Sequence, residues 1–284
     1  MLRSLFAGIS GLRVNQTMLD VTGNNIANAN TVGFKSSGTV FQNTLSQMLT
    51  GASGASATQG GTNPVQIGLG VQLAVVTSNL GQGSAQLTGR TTDLMLQGDG
   101  MFVTQNGNEQ LYTRAGAFTF DSAGTLVTPS GARVQGYALD ATGAPTGGLT
   151  DISIDPASFT PALGAGVEIT SFSFSNDGKL RVNLSDGTRR DVAQLAVADF
   201  TNPNGLERVG DSSFRESANS GTAQIDVPGT GRRGTVTAGA LEMSNVDLAA
   251  EFTNLILAQR GFQASSRVIT TSDQVLEDLV NIKR

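Results

Sequence analysis

Both ends of the chain carry apolar residues at seven-residue intervals, and nothing between the two ends has this pattern. Such a repeat is typical of helices that bury a stripe of side chains against other helices. The first repeat consists of Leu5, Leu12, Leu19 and Ile26, and the second of Leu248, Leu255, Phe262, Ile269 and Leu276. We therefore predict two terminal helices that pack side by side, an organisation that favours assembly over chemistry in a cleft.

The ends of both helices can be estimated from the sequence. Apolar residues keep helical spacing over residues 4–28, and the Asn-rich segment 24–30 is suited to end a helix. Ser244 and Asp247 have the spacing of a capping box, in which side chains satisfy unpaired amide groups. We therefore expect the second helix to begin at 244–247 and to continue to about residue 282.

The second helix carries two apolar stripes. At about 100° per residue, Phe252 and Val280 fall on the side of the seven-residue repeat. The opposite stripe consists of Leu257, Ala264, Val268, Val275 and Ile282. One neighbouring helix covers only one stripe, so we expect partners on both sides. Glu251 and Asp273 border or interrupt the first stripe, and pairing with an arginine of another copy is one explanation.

The middle of the chain, residues 64–235, has the pattern of a β-sheet protein. Its short apolar runs are separated by the turn pairs Asn106-Gly107, Asp177-Gly178 and Asp186-Gly187, which are typical of hairpins. The last two pairs predict consecutive hairpins over 171–184 and 180–197. Residues 35–48 remain ambiguous between helix and strand. Residues 50–63 are small, polar and Gly-rich, which predicts a flexible loop.

The composition disfavours several classes of function. The absence of His, Cys and Trp removes the commonest general base, thiolate nucleophiles and the commonest zinc ligands. A net charge of -5 disfavours a nucleic-acid partner, and no apolar run is long enough for membrane insertion. The N-terminus does not resemble a cleaved secretory signal. Charged residues make up 14% of the chain, against roughly a quarter in typical domains, which favours self-association.

No catalytic, cofactor-binding or metal-binding site is predicted. The stretch Gly98-Asp99-Gly100 lacks the rest of a phosphate-binding fingerprint, and the acids near turns lack calcium-loop spacing. Glycoside hydrolysis needs only two carboxylates and is the remaining enzymatic alternative. Sugar-binding sites usually offer aromatic platforms, however, and the chain has only Tyr112 and Tyr137 besides its phenylalanines.

Several long segments resemble the bacterial flagellar rod and hook proteins. Residues 19–35, LDVTGNNIANANTVGFK, resemble the N-terminal signature of that family, and residues 244–284 resemble its C-terminal signature. TGRTTDLMLQGDGMFV and LYTRAGAFTFDSAGTLVTPSGARVQGY resemble the first strands of its β-domain. The signature positions are Asn24, Asn25, Asn28, Gly33, Phe34, Lys35, Asn245, Gln259 and Arg260. The likeness spans nearly the whole chain.

The resemblance implies a mixed α and β fold with three parts. Residues 1–29 and 244–284 would form a coiled-coil-like stem lining an inner tube, and residues 76–214 an outer all-β domain. Residues 30–75 and 215–243 would connect them. The implied partners are further copies in a helical homopolymer, the flagellar rod, hook cap, hook-length control and hook–filament junction proteins, and the type III export apparatus. The implied location is the hook or basal body, reached by export without a cleaved signal.

Within this family the chain resembles short-form hook proteins most. The opening MLRSLFAGISGL and the ending LEMSNVDLAAEF carry this likeness. Distal rod proteins, which act as a drive shaft, are the alternative, and they usually have a small residue, an aromatic residue and an acid after the equivalent of Arg260. Here Gln263 takes the place of the acid. The sequence therefore favours the hook, the flexible joint that transmits torque from rod to filament.

Overall fold

The computed structural model describes residues 2–54, 60–140, 143–155 and 169–282. The chain forms two compact units. The helical unit comprises Met1–Asn28, Ser36–Asn79 and Val246–Arg284, and the β unit comprises Ala29–Lys35 and Leu80–Asn245. The predicted mixture of two terminal helices and an all-β middle is confirmed. Within the described residues, no helix has the length and apolarity needed to cross a membrane.

Two helices, α1 (Leu2–Ala27) and α2 (Leu248–Ile282), occupy the ends of the chain close to the predicted positions. The start predicted from the capping box at 244–247 is slightly early, because α2 begins at Leu248 and Asp247 caps it. Its Oδ1 accepts the amides of Ala249 at 2.9 Å and Ala250 at 3.2 Å. An aspartate is among the best residues at this position. With 35 residues, α2 is about 52 Å long.

The two helices pack side by side and run antiparallel. Near one end of the pair, the hydroxyl oxygens of Ser4 and Ser272 lie 3.2 Å apart. Near the other end, Asn25 Nδ2 donates to Glu251 Oε1 at 3.0 Å. The helical unit therefore contains the coiled-coil-like pair that the two repeats predict.

A β-ribbon completes the helical unit. Its strands are β1 (Ser37–Asn43), β2 (Ser46–Thr50), β3 (Val65–Gly68) and β4 (Val71–Ser78). β1 pairs with β4, β2 pairs with β3, and Ser53 bridges Thr62, all antiparallel. The ambiguous segment 35–48 is therefore mostly strand. In the segment 50–63, which is predicted as a loop, the bridge of Ser53 with Thr62 continues this ribbon, and residues 55–59 lie outside the described part of the chain.

The β unit is built from short antiparallel strands. They are β5 (Ala85–Leu87), β6 (Leu94–Gln97), β7 (Met101–Asn106), β8 (Glu109–Thr113), β9 (Thr119–Phe120), β10 (Leu126–Val127), β11 (Arg133–Leu139), β12 (Pro145–Asp151), β13 (Ile169–Phe174), β14 (Lys179–Leu184), β15 (Arg189–Leu195), β16 (Val197–Asp199), β17 (Glu207–Gly210), β18 (Ser213–Arg215), β19 (Gln224–Asp226), β20 (Thr235–Ala238) and β21 (Ala240–Glu242). The main sheet runs in the order β13-β14-β15-β11-β7-β8-β18-β17.

All three predicted hairpin turns are confirmed in this sheet. Gly107, Gly178 and Gly187 join β7 to β8, β13 to β14 and β14 to β15, with φ of +61°, +72° and +73°. These φ values lie in the left-handed region of backbone conformation, which glycine adopts readily.

The two compact units divide the chain differently from the three-part organisation predicted above, which stays a prediction. Residues 215–243 belong to the β unit because β20 pairs with β6 and β21 pairs with β5. Residues 36–75 share one unit with the helices. Long-range strand pairing of this kind leaves no mark in the local sequence pattern.

The β unit has two apolar clusters in its interior. In the larger cluster, the rings of Phe102 and Phe118 meet edge to face at 5.3 Å between centroids. In the smaller cluster, Tyr112 and Phe200 meet in the same way at 4.8 Å. The hydroxyl of Tyr112 donates to Gln110 Oε1 at 3.2 Å.

Alkaline pH is expected to destabilise the β unit through Tyr112. Burial, and secondarily the charge of Glu216, raises the pKa of Tyr112 to about 12, whereas an unfolded tyrosine has a pKa of about 10. Between these values the unfolded chain releases a proton that the folded chain keeps, so stability present below pH 10 is lost as pH rises. We expect Tyr112 to account for a loss of about 2 kcal/mol in the free energy of unfolding.

The Tyr112→Phe variant is the matched control. It should lack this part of the pH dependence, while Tyr137 and the basic side chains contribute equally to both proteins. Urea unfolding at pH 9 and pH 11.5 measures the difference. Parallel losses in wild type and variant would contradict the assignment to Tyr112.

Candidate assembly interface

Exposed apolar side chains are concentrated in the helical unit. Among the described residues of the β unit, the large apolar side chains that are exposed are Leu87 and Val209. The helical unit exposes Phe6, Ile9, Val40, Leu45, Met48, Leu49, Val65, Ile67, Leu69, Leu73, Val75, Val76, Leu248, Phe252, Ile256, Leu257, Phe262, Val268, Val275, Leu279, Val280 and Ile282. A surface of this kind marks an interaction site rather than a solvated face.

The structure divides the predicted helix-seam residues into two groups. Half-buried positions are Leu5, Leu12, Leu19, Ile26, Leu255, Ile269 and Leu276, of which Ile269 lies close to Gly8 of α1. Exposed positions are Leu248, Phe252, Leu257, Phe262, Val268 and Val275. The first stripe on α2 is therefore only partly used inside the subunit. The second stripe is largely exposed, although Val268 Cγ1 would lie 3.6 Å from a Cβ atom on Gly8 of α1, and its contact with another copy stays a prediction.

A second seven-residue repeat, of small and polar residues, lies between the leucines of the seam. On α1 it consists of Gly8, Asn15 and Thr22, and on α2 of Glu251, Ala258, Ser265 and Ser272. A Cβ atom on Gly8 would lie 3.0 Å from Ile269 Cγ1, and one on Gly261 would lie 2.5 Å from Asn15 Oδ1. These residues let the two helices approach closely. Their spacing was visible in the sequence, but apolar periodicity alone does not detect it.

The signature residues of α1 close its C-terminal end. Asn25 is buried, and its Nδ2 donates to the carbonyl of Ser37 at 2.7 Å, while its Oδ1 accepts the amide of Ser37 at 3.0 Å. Asn28 Nδ2 donates to the carbonyl of Asn24 at 2.9 Å. Asn25 also donates to Glu251, so this carboxylate has a partner inside the subunit and needs no arginine from another copy.

A second group of signature residues lies in the β unit, around Glu242. The amide of Gly33 donates to the carbonyl of Glu242 at 2.8 Å, and Lys35 Nζ donates to its Oε1 at 2.6 Å. Arg114 Nη1 reaches Glu242 Oε2 at 3.4 Å. Burial lowers the pKa of Lys35, and the hydrogen bond and charge of Glu242 oppose that shift. Asn245 Nδ2 donates to the carbonyl of Gly81 at 3.0 Å.

The remaining signature residues make local contacts. Phe34 packs under the guanidinium of Arg208, which lies 5.4 Å from the ring centroid and donates to the carbonyl of Lys35 at 2.6 Å. Gln259 and Arg260 are exposed on α2, where Arg260 Nη1 donates to Gln263 Oε1 at 3.4 Å. Gln263 therefore makes the contact that an acid would make there, so its presence says little about rod or hook identity.

A groove of about 550 Å³ lies in the helical unit between α1 and the β-ribbon. Its lining is mostly apolar and includes Phe6, Ile9, Leu69 and Leu73, with Arg13 as a positive charge. In the described part of the chain, no group of three Asp or Glu residues has the arrangement of a metal site. The features of the helical unit are those of a surface for protein contacts.

Three family models match separate segments of the chain. The model described as "Flagella basal body rod protein" matches residues 5–35, which cover most of α1 and the segment after it. "Flagellar hook protein FlgE/F/G D1 domain" matches residues 95–182 in the β unit. "Flagellar basal body rod FlgEFG protein C-terminal" matches residues 237–282, which include β21 and α2.

Similar proteins extend this likeness over the whole chain. "Flagellar basal-body rod protein FlgG" of Bacillus subtilis is 46% identical over 285 residues and covers 100% of both chains. The protein of that name in Caulobacter vibrioides is 35% identical over 97% of both chains. "Flagellar hook protein FlgE" of Borreliella burgdorferi is 30% identical, over an alignment of 442 residues that covers 100% of both.

These comparisons favour the rod over the hook, against the preference drawn from the sequence. The alignment with the Bacillus subtilis rod protein is nearly as long as the chain itself, at 285 positions, whereas the alignment with the hook protein needs 442. Rod and hook relatives nevertheless both match from end to end. The chain belongs to the family of bacterial flagellar rod and hook proteins.

Proposed function

We propose that this chain is a subunit of the flagellar basal-body rod, where copies assemble into a tubular helical polymer that transmits rotation. The observation that carries the proposal is the 46% identity to a rod protein over 285 aligned positions, with complete coverage of both chains. The hook protein of Borreliella burgdorferi is less similar, at 30% identity over 442 aligned positions. The family is one of structural flagellar proteins, and the chain is therefore a structural subunit and not an enzyme.

The helical unit supports assembly on physical grounds. Its exposed apolar side chains lie on α1, along the whole of α2 and along the ribbon. Covering such surface stabilises an assembly by about 25 cal/mol per Å² of apolar area. Heterologous contacts between identical subunits, which do not close into a ring, produce a helical polymer. We propose that α2 lines the centre of this polymer and that the β unit forms its outer layer.

The proposed partners follow from this role. Further copies of the chain would cover the second stripe of α2, and other rod and hook subunits would adjoin the two ends of the polymer. Export through the flagellar type III apparatus would bring the subunits to the growing end. Neither nucleic acid nor membrane insertion has a part in this proposal.

Deletion of the gene is expected to shorten the rod. Basal bodies purified from such a strain should show an incomplete rod with neither hook nor filament in electron micrographs, because the hook can grow only on a finished rod. Re-expression of this chain should restore all three structures. A complete rod that lacks only the hook would overturn the proposal in favour of the hook alternative.

A further inference from the structure

The backbone passes between the two compact units at four places, after residues 28, 35, 79 and 245. On the β-unit side, the chain near each of these crossings is linked by hydrogen bonds to Glu242 or to Lys35, and these two residues form a buried ion pair. Residues 29–35 lie between the first two crossings, residue 81 is close to the third, and residue 242 is close to the fourth.

Lys35 and Glu242 link these segments through direct hydrogen bonds. Glu242 Oε1 accepts from Lys35 Nζ at 2.6 Å and from the amide of Gly83 at 2.9 Å. Lys35 Nζ also donates to the carbonyl of Gly81 at 2.8 Å. The carbonyl of Glu242 accepts the amide of Gly33 at 2.8 Å. A single ion pair thus joins three segments that are far apart in sequence.

The burial of this pair is unusual for an ordinary stabilising contact. The side chains of Lys35 and Glu242 are 0% exposed. Removing two ions from water costs several kcal/mol each, and an apolar pair of similar volume is often as stable. What an ion pair adds is geometry, because its oxygen and nitrogen atoms each accept or donate several directed hydrogen bonds. Arg114, also buried, holds the second oxygen of Glu242 at 3.4 Å.

We propose that Glu242 and Lys35 form a torque clasp, which binds together the segments that cross between the two units so that they carry mechanical load jointly. This role rests on the proposed function as a rod subunit. Without the clasp, mechanical load would act on each segment separately. The segments near the crossings would then lose their hydrogen bonds before the strands of the main sheet separate. Glu242 and Lys35 are positioning residues in this role, and neither needs to contact another subunit.

Hydrogen exchange of the full-length monomer tests the clasp. In Glu242→Gln, the amides of residues 29–35 and 80–84 should exchange at least tenfold faster, while those of β7 and β8 keep their wild-type rates. Glu207→Gln is the matched control, because Glu207 pairs with Arg215 at 2.9 Å on the exposed surface of the same unit. It should change neither set of amides. Faster exchange throughout the β unit, or no change, would overturn the proposal.

Lys35→Met provides a second variant in case Glu242→Gln does not fold. It removes the hydrogen bond to the carbonyl of Gly81 while leaving Glu242 paired with Arg114, and it should accelerate exchange in the same two segments.

In cells, either variant should assemble flagella in normal number but lose motility in viscous medium. Normal motility under load would overturn the mechanical role. The exchange measurement uses the monomer and does not depend on whether the chain belongs to the rod or to the hook. Loss of the hook alone on gene deletion would therefore contradict the rod assignment without changing the exchange result.

Discussion

Replacing Val275 by aspartate is expected to abolish polymer formation while leaving the folded subunit intact. Val275 lies on the second stripe of α2 and is 49% exposed in the subunit. A carboxylate there is hydrated in the monomer and costs little. Once another helix covers the stripe, the same carboxylate is unpaired and buried, at a cost of about 3 kcal/mol or more for each contact. Every 1.4 kcal/mol is a factor of ten, so the critical concentration should rise at least about 100-fold.

The polymer is measured by sedimentation and electron microscopy of concentrated protein. Val275→Thr is the matched control, since it keeps the branched shape of valine without a charge and should still assemble. Leu255→Asp gives a contrasting result. Leu255 is already half-buried inside the subunit, so its replacement should lower the helical signal of the monomer itself. Normal assembly of Val275→Asp would mean that the second stripe faces water in the polymer.

The elements of this fold that are determined locally could be predicted from the sequence. The seven-residue repeats predict α1 and α2, since the period of a helix is visible in a single segment. The turn pairs at Gly107, Gly178 and Gly187 predict three hairpins for the same reason. The sequence places the start of α2 at 244–247, slightly before the observed first residue Leu248, because Ser244 and Asp247 are both good caps.

The contacts that join distant segments could not be predicted. Lys35 and Glu242 are 207 residues apart, and nothing in the sequence around either residue indicates burial as an ion pair. The β-ribbon of the helical unit is likewise ambiguous from the sequence, since much of β1 and all of β2 are exposed and bury few apolar residues. The preference for the hook over the rod rests on short terminal segments and on Gln263, and Gln263 makes only a local contact with Arg260.

Replacing Gly33 by alanine is expected to lower the free energy of unfolding of the β unit by about 3 kcal/mol. Gly33 has φ of +67°, and a Cβ atom there would lie 2.4 Å from the backbone nitrogen of Ala115. The left-handed backbone costs a non-glycine residue about 1–2 kcal/mol, and relief of the clash requires a backbone shift that costs about 1–3 kcal/mol more. The amide of Gly33 would then lose its bond to the carbonyl of Glu242.

Urea unfolding followed by near-ultraviolet circular dichroism measures this effect in the right unit. The chain has no Trp, and both of its tyrosines, Tyr112 and Tyr137, lie in the β unit. Gly23→Ala is the matched control, because a Cβ atom there meets nothing within 4 Å and alanine favours a helix interior. It should leave the tyrosine signal unchanged. If Gly33→Ala unfolds at the wild-type urea concentration, residues 29–35 can leave the β unit at no cost, and Lys35 is not held against Glu242 in solution.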